Sequence, residues 1–378
     1  LRMERQQGQS CPRLLIAAPH SGSGKTMITC GLLQAMTKRQ KNIKAYKCGP
    51  DYIDPLFHKR VLGIPSKNLD LYFTDEAMTK ALFLADRDRD LAIVEGVMGL
   101  YDGLGGTEET ASAYHLAKTL QMPILLVVDV HGMGRSVLAE IMGFLAMDEK
   151  HLIQGVLLNR CSASFYEKLA PLLEKHLDIP VVGYFPVRKD LQFQSRHLGL
   201  QLPDEIEGIK HTLQAIAEQM EASVDLDRIL QLAEDAPLLS MDEKLYTLML
   251  PKQKSSKAQV KIGVAYDEAF CFYYEDNLRM LEHAGAQLCF FSPLRDASLP
   301  DGIQGMVLGG GYPELYAKEL AKNTVMRETI CEALQRGMPA LAECGGFMYL
   351  HDTIETQEKE TYPMVGYLHG TCAYTGHL

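Results

Sequence analysis

Short apolar runs alternate with longer amphipathic stretches over the first 190 residues or so of the chain. The runs are nearly continuously apolar, and several are followed by Gly, Asp or Pro. Such runs predict strands that are buried on both faces, and the helical stretches between them predict βαβ crossovers and a parallel sheet. The predicted strands are Leu14–Ala18, Ile43–Tyr46, Leu91–Val94, Ile124–Val128, Val156–Leu158 and Val181–Tyr184.

A second alternation of the same kind begins after a polar, lysine-rich stretch, PKQKSSKAQ, which we interpret as a linker. Residues 204–250, before the linker, have helical periodicity. The elements predicted after it are strands Lys261–Ala265, Leu288–Phe291, Met306–Leu308 and Ala340–Ala342, with helices near Glu275–Gly285 and Thr324–Gly337. The chain is therefore predicted to be an α/β protein with these segments: a disordered leader at 1–12, a domain at 13–250, the linker at 251–259 and a domain at 260–378.

Composition narrows the classes of function. A length of 378 residues fits two domains, and 47% hydrophobic with 23% charged residues is ordinary for a globular protein. Nine cysteines without CxxC spacing favour a reducing cytoplasm over a disulfide framework or a zinc site. A net charge of −10 argues against a nucleic-acid partner. The lack of an apolar run of about 18 residues argues against a membrane span.

A glycine-rich turn, PHSGSGKT at 19–26, follows the first predicted strand and precedes a helical pattern. Such a turn presents backbone N–H groups and a helix N-terminus to phosphate. We expect Lys25 to reach the β- and γ-phosphates of ATP and the Thr26 hydroxyl to ligate Mg²⁺. The common GxxxxGK[ST] pattern has Gly where this chain has Pro19, so the loop is a variant. The predicted ATP-binding residues here are Gly22, Ser23, Gly24, Lys25 and Thr26.

Acidic residues follow two further strands. The segment KCGPDYIDP supplies Asp51 and Asp54, and VEGVMGLYDG supplies Glu95 and Asp102. Both lie at carboxyl ends of parallel strands, where open α/β sheets bind ligands, and carboxylates there can hold Mg²⁺ and position a nucleophile. Asn159 closes another strand, where its amide can either read an adenine edge or cap a helix.

A thiol site is predicted at AECGG, where a strand enters a sharp turn and then a helix. This is the arrangement of a nucleophile elbow, with Cys344 in place of a serine. The backbone N–H groups of Gly310 and Gly311, in the loop GGGYPE, can form an oxyanion hole with that of Gly345. A thiol nucleophile also needs a base. The histidines after Cys344 are His351, His369 and His377, and none lies in a motif that we interpret as catalytic. We expect His351 to lie on the helix after the elbow.

Seven segments together resemble the cobyrinic acid a,c-diamide synthase family, over a stretch from about Leu14 to the end of the chain. In order they are SGSGKT, KCGPDYIDPLFH, NLD (Asn68–Asp70), VEGVMGLYDG, RHLGL (Arg196–Leu200), LGGGYPE and AECGGFMYL. The resemblance implies a dethiobiotin-synthetase-like P-loop domain followed by a class I glutamine-amidotransferase-like domain. Members of the family continue past this C-terminus through a histidine-bearing segment, so that second domain is expected to be incomplete.

The resemblance also implies two linked reactions. Cys344 attacks the side-chain amide of L-glutamine and releases ammonia, while the first domain uses ATP and Mg²⁺ to phosphorylate a carboxylate of cobyrinic acid or a related tetrapyrrole polycarboxylate. Ammonia then displaces phosphate. Position and resemblance together give these predicted roles: catalysis for Cys344, Asp51, Asp54, Glu95 and Asp102, cofactor binding for the loop residues and Asn159, substrate contact for Tyr52 and Ile53, and metal binding for Thr26, Asp54 and Glu95.

Other functions stay open at this point. Within the family the substrate can also be hydrogenobyrinic acid or Ni-sirohydrochlorin, and the residues do not choose among the three. A partitioning-type nucleotide-switch ATPase shares the variant loop and the parallel sheet, but it needs neither GPDYIDP nor a cysteine elbow. A non-catalytic interaction module is a third alternative. The residues favour the ligase, and a cytoplasmic homodimer is compatible with them.

Overall fold

The computed structural model describes residues 11–86, 89–191, 203–240, 244–246 and 260–375. Several features named from sequence lie outside these ranges: residues 1–10 of the leader, the RHLGL segment, residues 251–259 of the linker, and His377. The described chain separates into two compact units, Leu1–Leu250 and Pro251–Leu378.

The first unit contains a seven-stranded sheet in which every neighbouring pair is parallel, in the order β3-β2-β4-β1-β5-β6-β7. The strands are β1 Arg13–Ala17, β2 Ile43–Cys48, β3 Ser66–Leu69, β4 Leu91–Glu95, β5 Ile124–Asp129, β6 Ile153–Asn159 and β7 Val181–Phe185. All six strands predicted for this unit are present. The edge strand β3, with the sequence SKNL, was not predicted because it has only four residues and three of its side chains are polar.

Helices connect these strands and cover both faces of the sheet. They are α1 Lys25–Lys38, α2 Ile53–Arg60, α3 Glu76–Leu84, α4 Ala113–Thr119, α5 Ser136–Met147, α6 Ala163–His176, α7 Pro203–Ser223 and α8 Leu226–Glu234, with short 3₁₀ helices at Leu104–Gly106 and Lys189–Leu191. Alternate residues of β1 enter opposite cores, Leu15 and Ala17 on one face and Leu14 and Ile16 on the other. After Arg13 the first strand is therefore apolar, as expected of a strand covered on both faces. None of the helices described is long and apolar enough to cross a membrane.

The second unit has a four-stranded parallel sheet in the order β11-β10-β8-β9, and all four strands were predicted. They are β8 Val260–Ala265, β9 Ala286–Phe291, β10 Gly305–Leu308 and β11 Ala340–Ala342. Its helices are α9 Glu275–His283, α10 Ala317–Lys322, α11 Thr324–Gln335 and α12 Gly345–Tyr349, with a 3₁₀ helix at Pro313–Tyr316.

A small separate sheet follows α12, in the order β13-β12-β14, with strands β12 His351–Glu355, β13 Thr361–Pro363 and β14 Leu368–Ala373. It was not predicted, because its strands are short, mixed in polarity and largely accessible to solvent. The prediction that His351 lies on the helix after the elbow was wrong. The helix ends at Tyr349, and His351 is the first residue of β12.

Candidate functional site

The loop between β1 and α1 has the geometry of a phosphate-binding loop. Gly22 and Gly24 have φ values of 81° and 90°, a left-handed conformation that favours glycine. Helix α1 begins directly after Gly24, and no side chain caps its first N–H groups. These uncapped groups can therefore bind an anion at the mouth of the loop.

Asn159, at the end of β6, holds this loop in place. Its Nδ2 donates to the Ser23 carbonyl oxygen at 2.7 Å, and the side chain is buried. A Cβ atom added to Gly24 would lie 2.2 Å from the same nitrogen. In this structure Asn159 is thus a loop-positioning residue. Whether it reads an adenine edge stays a prediction.

Lys25 folds back over the mouth of the loop. Its Nζ donates to the carbonyl oxygens of Met98 at 2.5 Å and His20 at 3.3 Å. Burial lowers the pKa of Lys25 to about 8, although the Glu95 carboxylate opposes this shift. A bound phosphate would replace these two neutral carbonyl oxygens as the acceptor of Lys25 Nζ. Because the phosphate is negatively charged, it would favour the protonated form of Lys25.

Glu95 and Asp54 form a buried acidic cluster beside the loop. Glu95 Oε1 accepts hydrogen bonds from Thr26 Oγ1 at 2.7 Å and from Lys47 Nζ at 3.0 Å. Asp54 Oδ2 accepts from the same Lys47 ammonium at 2.6 Å, and an Asp51 carboxylate oxygen lies 3.7 Å from it. Three carboxylates predicted from two separate motifs therefore converge on one cation.

Lys47 is the main site residue that the sequence analysis missed. Burial alone would lower its pKa, but the Glu95 and Asp54 carboxylates raise the pKa of Lys47 well above its ordinary value. For Asp54, burial and Glu95 raise the pKa of the carboxyl despite the lysine. The sequence did indicate that Lys47 could belong to the site. It is a charged residue near the end of the predicted buried strand β2, directly before the CGPD segment.

These groups line an open cavity of about 710 Å³ at the carboxyl edge of the sheet. Most site residues predicted for the first unit line it: Gly22, Gly24, Lys25, Thr26, Asp51, Ile53, Asp54, Glu95 and Asn159. Ser23, Tyr52 and Asp102 do not. Asp102 instead accepts a hydrogen bond from the Gly99 N–H at 2.9 Å, so it shapes the loop after β4.

The far wall of the cavity is amide-bearing and cationic. It consists of Asn159 and residues that the sequence analysis did not single out, including Arg160 and Arg188. Arg160 donates to the Gly22 carbonyl oxygen at 3.0 Å and pairs with Asp129. The cavity thus has an acidic side, at the ends of β2 and β4, and a cationic side, at the ends of β6 and β7.

The acidic side offers the hard oxygen donors that Mg²⁺ prefers. Glu95 Oε2 is buried and has no hydrogen-bond partner among the described residues. Nowhere in the described ranges are three or more His, Cys, Asp or Glu side chains arranged so that they could hold a metal ion by themselves. An ion held by Asp54 and Glu95 would therefore need further ligands, such as the Thr26 hydroxyl, water or phosphate oxygens. With that completion, the residues fit Mg²⁺.

In the second unit, Cys344 lies at a strained turn between β11 and α12. Its φ of 48° and ψ of −112° are unusual for a non-glycine residue, and its side chain is exposed. The turn is tightly packed, since a Cβ atom on Gly346 would lie 2.1 Å from the Leu308 carbonyl oxygen. The Gly346 N–H donates to the Gly309 carbonyl oxygen at 2.9 Å, which fixes the elbow against the glycine loop.

The three glycines predicted to form an oxyanion hole lie together beside Cys344. A Cβ atom on Gly310 would lie 3.4 Å from Cys344 Cβ, and one on Gly345 would lie 3.1 Å from the Gly311 nitrogen. Within the described part of the second unit, the Gly311 and Gly345 N–H groups have no hydrogen-bond acceptor. Two N–H groups in the immediate neighbourhood of Cys344 are therefore available to bind an oxyanion.

No histidine among residues 260–375 is hydrogen-bonded to this thiol. The His351 Nδ1 is paired with the Phe347 carbonyl oxygen at 2.9 Å. The His369 side chain is 95% exposed and lies 3.6 Å from Asp352. A base for Cys344 is thus not identified in this part of the chain.

Comparison with known proteins supports both halves of this description. Residues 14–200 match the CobQ/CobB/MinD/ParA nucleotide binding domain, and residues 261–377 match the CobB/CobQ-like glutamine amidotransferase domain. Among solved structures, MinD cell division protein of Aquifex aeolicus is similar at 15% identity with a TM-score of 0.37, covering 61% of this chain and 100% of that chain.

Longer matches come from curated relatives. The cobyrinate a,c-diamide synthase of Dehalococcoides mccartyi strain CBDB1 is 42% identical over 361 residues, which is 95% of this chain and 77% of that protein. The protein of the same name from Caldanaerobacter subterraneus subsp. tengcongensis is 41% identical over 359 residues, which is 94% of this chain and 77% of that protein. With identity of this level over nearly its whole length, the chain belongs to the cobyrinate a,c-diamide synthase family.

Proposed function

We propose that the protein is a carbon–nitrogen ligase of cobalamin biosynthesis that uses ATP and glutamine to amidate the a and c carboxylates of cobyrinic acid. One observation carries this most strongly: Thr26, Lys47, Asp54 and Glu95 form a single buried cluster beside a phosphate loop. An enzyme that phosphorylates a carboxylate must bring two anions together, and this cluster can supply the positive charge they need through the Lys47 ammonium and through a Mg²⁺ ion held by the carboxylates. The names of the relatives point to cobyrinate as the acceptor.

In the first unit, a carboxylate oxygen of the substrate attacks the γ-phosphorus of ATP. The bond from that phosphorus to the bridging oxygen breaks, ADP leaves, and an acyl phosphate forms. Lys25 leaves its carbonyl acceptors to bind the phosphates, while Lys47 keeps Asp54 and Glu95 in place. Mg²⁺, when bound, supplies positive charge that neutralises the phosphate oxygens. Ammonia then attacks the acyl carbon, phosphate departs, and the nitrogen loses a proton to give the amide.

In the second unit, the Cys344 thiolate attacks the side-chain amide carbon of glutamine. The N–H groups of Gly311 and Gly345 stabilise the oxyanion that results. The C–N bond breaks, the nitrogen takes up a proton and leaves as ammonia, and a thioester remains. Water hydrolyses the thioester to glutamate and restores the thiol.

The test is ATP-dependent amidation, with glutamine and ammonium supplied in separate reactions. Cobyrinic acid, hydrogenobyrinic acid and Ni-sirohydrochlorin are each incubated with the protein, ATP and Mg²⁺. Products are followed by high-resolution mass spectrometry, because replacing OH by NH₂ changes the mass only slightly. We expect a diamide of cobyrinic acid and release of phosphate. If none of the three tetrapyrroles gives an ATP-dependent product with either nitrogen source, the proposed function is wrong.

A further inference from the structure

Two adjacent aromatic side chains are exposed just beyond β3. Tyr72 and Phe73 are 63% and 66% exposed, and their rings meet edge to face with centroids 5.1 Å apart. No other Phe or Tyr side chain in the described part of the first unit is exposed. Exposed aromatic pairs are favoured at recognition surfaces, because they bury a large area and lose little conformational entropy on binding.

A tight turn fixes the backbone of this pair. Asp70 is buried, and its Oδ1 accepts a hydrogen bond from the Tyr72 N–H at 2.8 Å. The Asp70 carbonyl oxygen accepts from both the N–H and the hydroxyl of Thr74, at 3.1 and 2.9 Å. The turn is therefore held before any ligand arrives, which lowers the entropic cost of binding.

The pair lies alongside the acidic side of the cavity. β3 is parallel to β2, and Leu69 is opposite Cys48. Tyr72 follows Leu69 by three residues, and Asp51 follows Cys48 by three residues, so both lie just beyond the same end of the paired strands. Asn68 donates to the Asp51 carbonyl oxygen at 2.7 Å and so ties the two segments together. Neighbouring strands are about 4.8 Å apart. The aromatic pair therefore borders the loop that carries Asp51.

The charges of the cavity indicate which ligand approaches from this side. The phosphate loop follows the central strand β1, between an acidic and a cationic side. On the acidic side three carboxylates share the single Lys47 ammonium, whereas Arg160 and Arg188 are each paired with one carboxylate, that of Asp129 and that of Asp190. The nucleotide is therefore repelled more strongly on the acidic side. The ribose and base of ATP are thus expected to extend towards β6 and β7. The carboxylate acceptor is left with the acidic side, at the ends of β2 and β4, and β3 is the neighbour of β2 there.

The acceptor is also too large to enter the cavity whole. Its reacting carboxylates lie on short side arms of a wide tetrapyrrole ring, and the cavity of about 710 Å³ must also hold the triphosphate of ATP. Only an arm can reach Asp51 and Asp54, so the ring must rest on the rim beside them. Its broad apolar face then needs an apolar surface at that rim.

We propose, on the basis of the proposed function, that Tyr72 and Phe73 form the docking surface for the tetrapyrrole ring. The ring packs its apolar face against the two side chains while one carboxylate arm enters the cavity. The pair thereby determines which arms come within reach of the phosphoryl group.

The test compares wild type with Tyr72→Ala, Phe73→Ala, the double alanine variant and Tyr72→Phe. Binding of cobyrinic acid without ATP is measured by calorimetry, and KM is measured for cobyrinic acid and for ATP. We expect the Kd for cobyrinic acid to rise about tenfold for each ring removed. Tyr72→Phe should bind like wild type, since the ring rather than the hydroxyl makes the contact. KM for ATP should not change in any variant.

Leu238→Ala is the matched control, because Leu238 is 59% exposed elsewhere on the first unit. If the wild type is active and the double alanine variant binds and amidates cobyrinic acid equally well, the proposed docking surface is wrong, but the proposed function is not affected. An equal rise in KM for ATP also overturns it, because the pair would then act on the whole site. A wild-type protein that neither binds nor amidates the tetrapyrrole overturns the proposed function and the docking surface with it.

Discussion

At the scale of single residues, Lys47 contributes both to the candidate site and to the stability of the first unit. Its ammonium is buried with the carboxylates of Asp54 and Glu95 at hydrogen-bond distance. We expect Lys47→Met to lower the free energy of unfolding by about 3–5 kcal/mol, because two buried like charges would face each other. Urea unfolding of that variant and of Lys47→Met/Asp54→Asn measures this, and the second change should restore part of the loss.

Lys168→Met is the control for this experiment, since Lys168 is an exposed lysine on α6 of the same unit. It should change the free energy of unfolding by less than about 0.5 kcal/mol. Equal effects of Lys47→Met and Lys168→Met would mean that the cluster does not depend on the buried cation.

Substitution of two glycines of the phosphate loop can distinguish the effect of backbone strain from the effect of steric overlap with a neighbouring side chain. Both have left-handed φ values, but a Cβ on Gly22 meets nothing within 4 Å, whereas one on Gly24 lies 2.2 Å from Asn159 Nδ2. Gly22→Ala should therefore cost about 1 kcal/mol of stability. Gly24→Ala should cost more and should also raise KM for ATP, because the loop must move away from Asn159.

Thermal unfolding and ATP kinetics of both variants measure this difference. Adding Asn159→Ala to Gly24→Ala removes the overlapping amide but also removes the hydrogen bond to Ser23. Partial recovery of stability in the double variant would support the overlap. Equal losses in Gly22→Ala and Gly24→Ala would show instead that backbone strain alone matters.

At the scale of elements, the elbow between β11 and α12 depends on a close backbone approach. A Cβ on Gly346 would lie 2.1 Å from the carbonyl oxygen of Leu308, a backbone atom of β10 that cannot rotate away. We expect Gly346→Ala to destabilise the second unit by about 3 kcal/mol and to abolish glutamine hydrolysis. Gly305→Ala is the matched control, because a Cβ there meets only an ordinary 3.4 Å contact.

Glutamate release and urea unfolding of both variants check this prediction. A Gly346→Ala protein that hydrolyses glutamine at the wild-type rate would show that the elbow tolerates a shift of Leu308. Loss of activity in both variants would indicate a general sensitivity of β10 rather than the specific contact.

The elements that could be predicted from sequence are those with a strong periodic signal. Ten of the eleven strands in the two parallel sheets are mainly apolar and were predicted, whereas β3 and the small sheet β12–β14 were missed because their pattern is short and mixed. The residues of the site were predictable to a similar extent. Asp54 and Glu95 were predicted because they lie at or after the end of a strand. Lys47 was not predicted, because its role depends on three carboxylates that only the folded chain brings together.

At the scale of the whole molecule, the proposed chemistry divides between the two units. Cys344→Ala should abolish amidation with glutamine but leave amidation with ammonium unchanged, because the thiol only releases ammonia. Asp54→Asn should reduce amidation roughly 10²-fold or more with either nitrogen source. The measurement is product formation by mass spectrometry at matched concentrations of both donors.

Cys331→Ala is the control, since Cys331 is a half-buried cysteine on α11. It should behave like wild type with both donors. If Cys344→Ala kept its glutamine-dependent activity, another residue would be the nucleophile. The cytoplasmic location and the homodimer have not been tested and stay predictions.

The position of β1 also has a consequence for how the protein is made. β1 is the earliest of the seven strands in the chain, yet it pairs with β4 and β5, so Leu15 is opposite Ile124. The buried guanidinium of Arg13 donates to carbonyl oxygens of Leu120 and Pro237. During translation, the strand must therefore wait until most of the unit has left the ribosome. The loop that begins the nucleotide site is synthesised early, but it is expected to become able to bind ATP late.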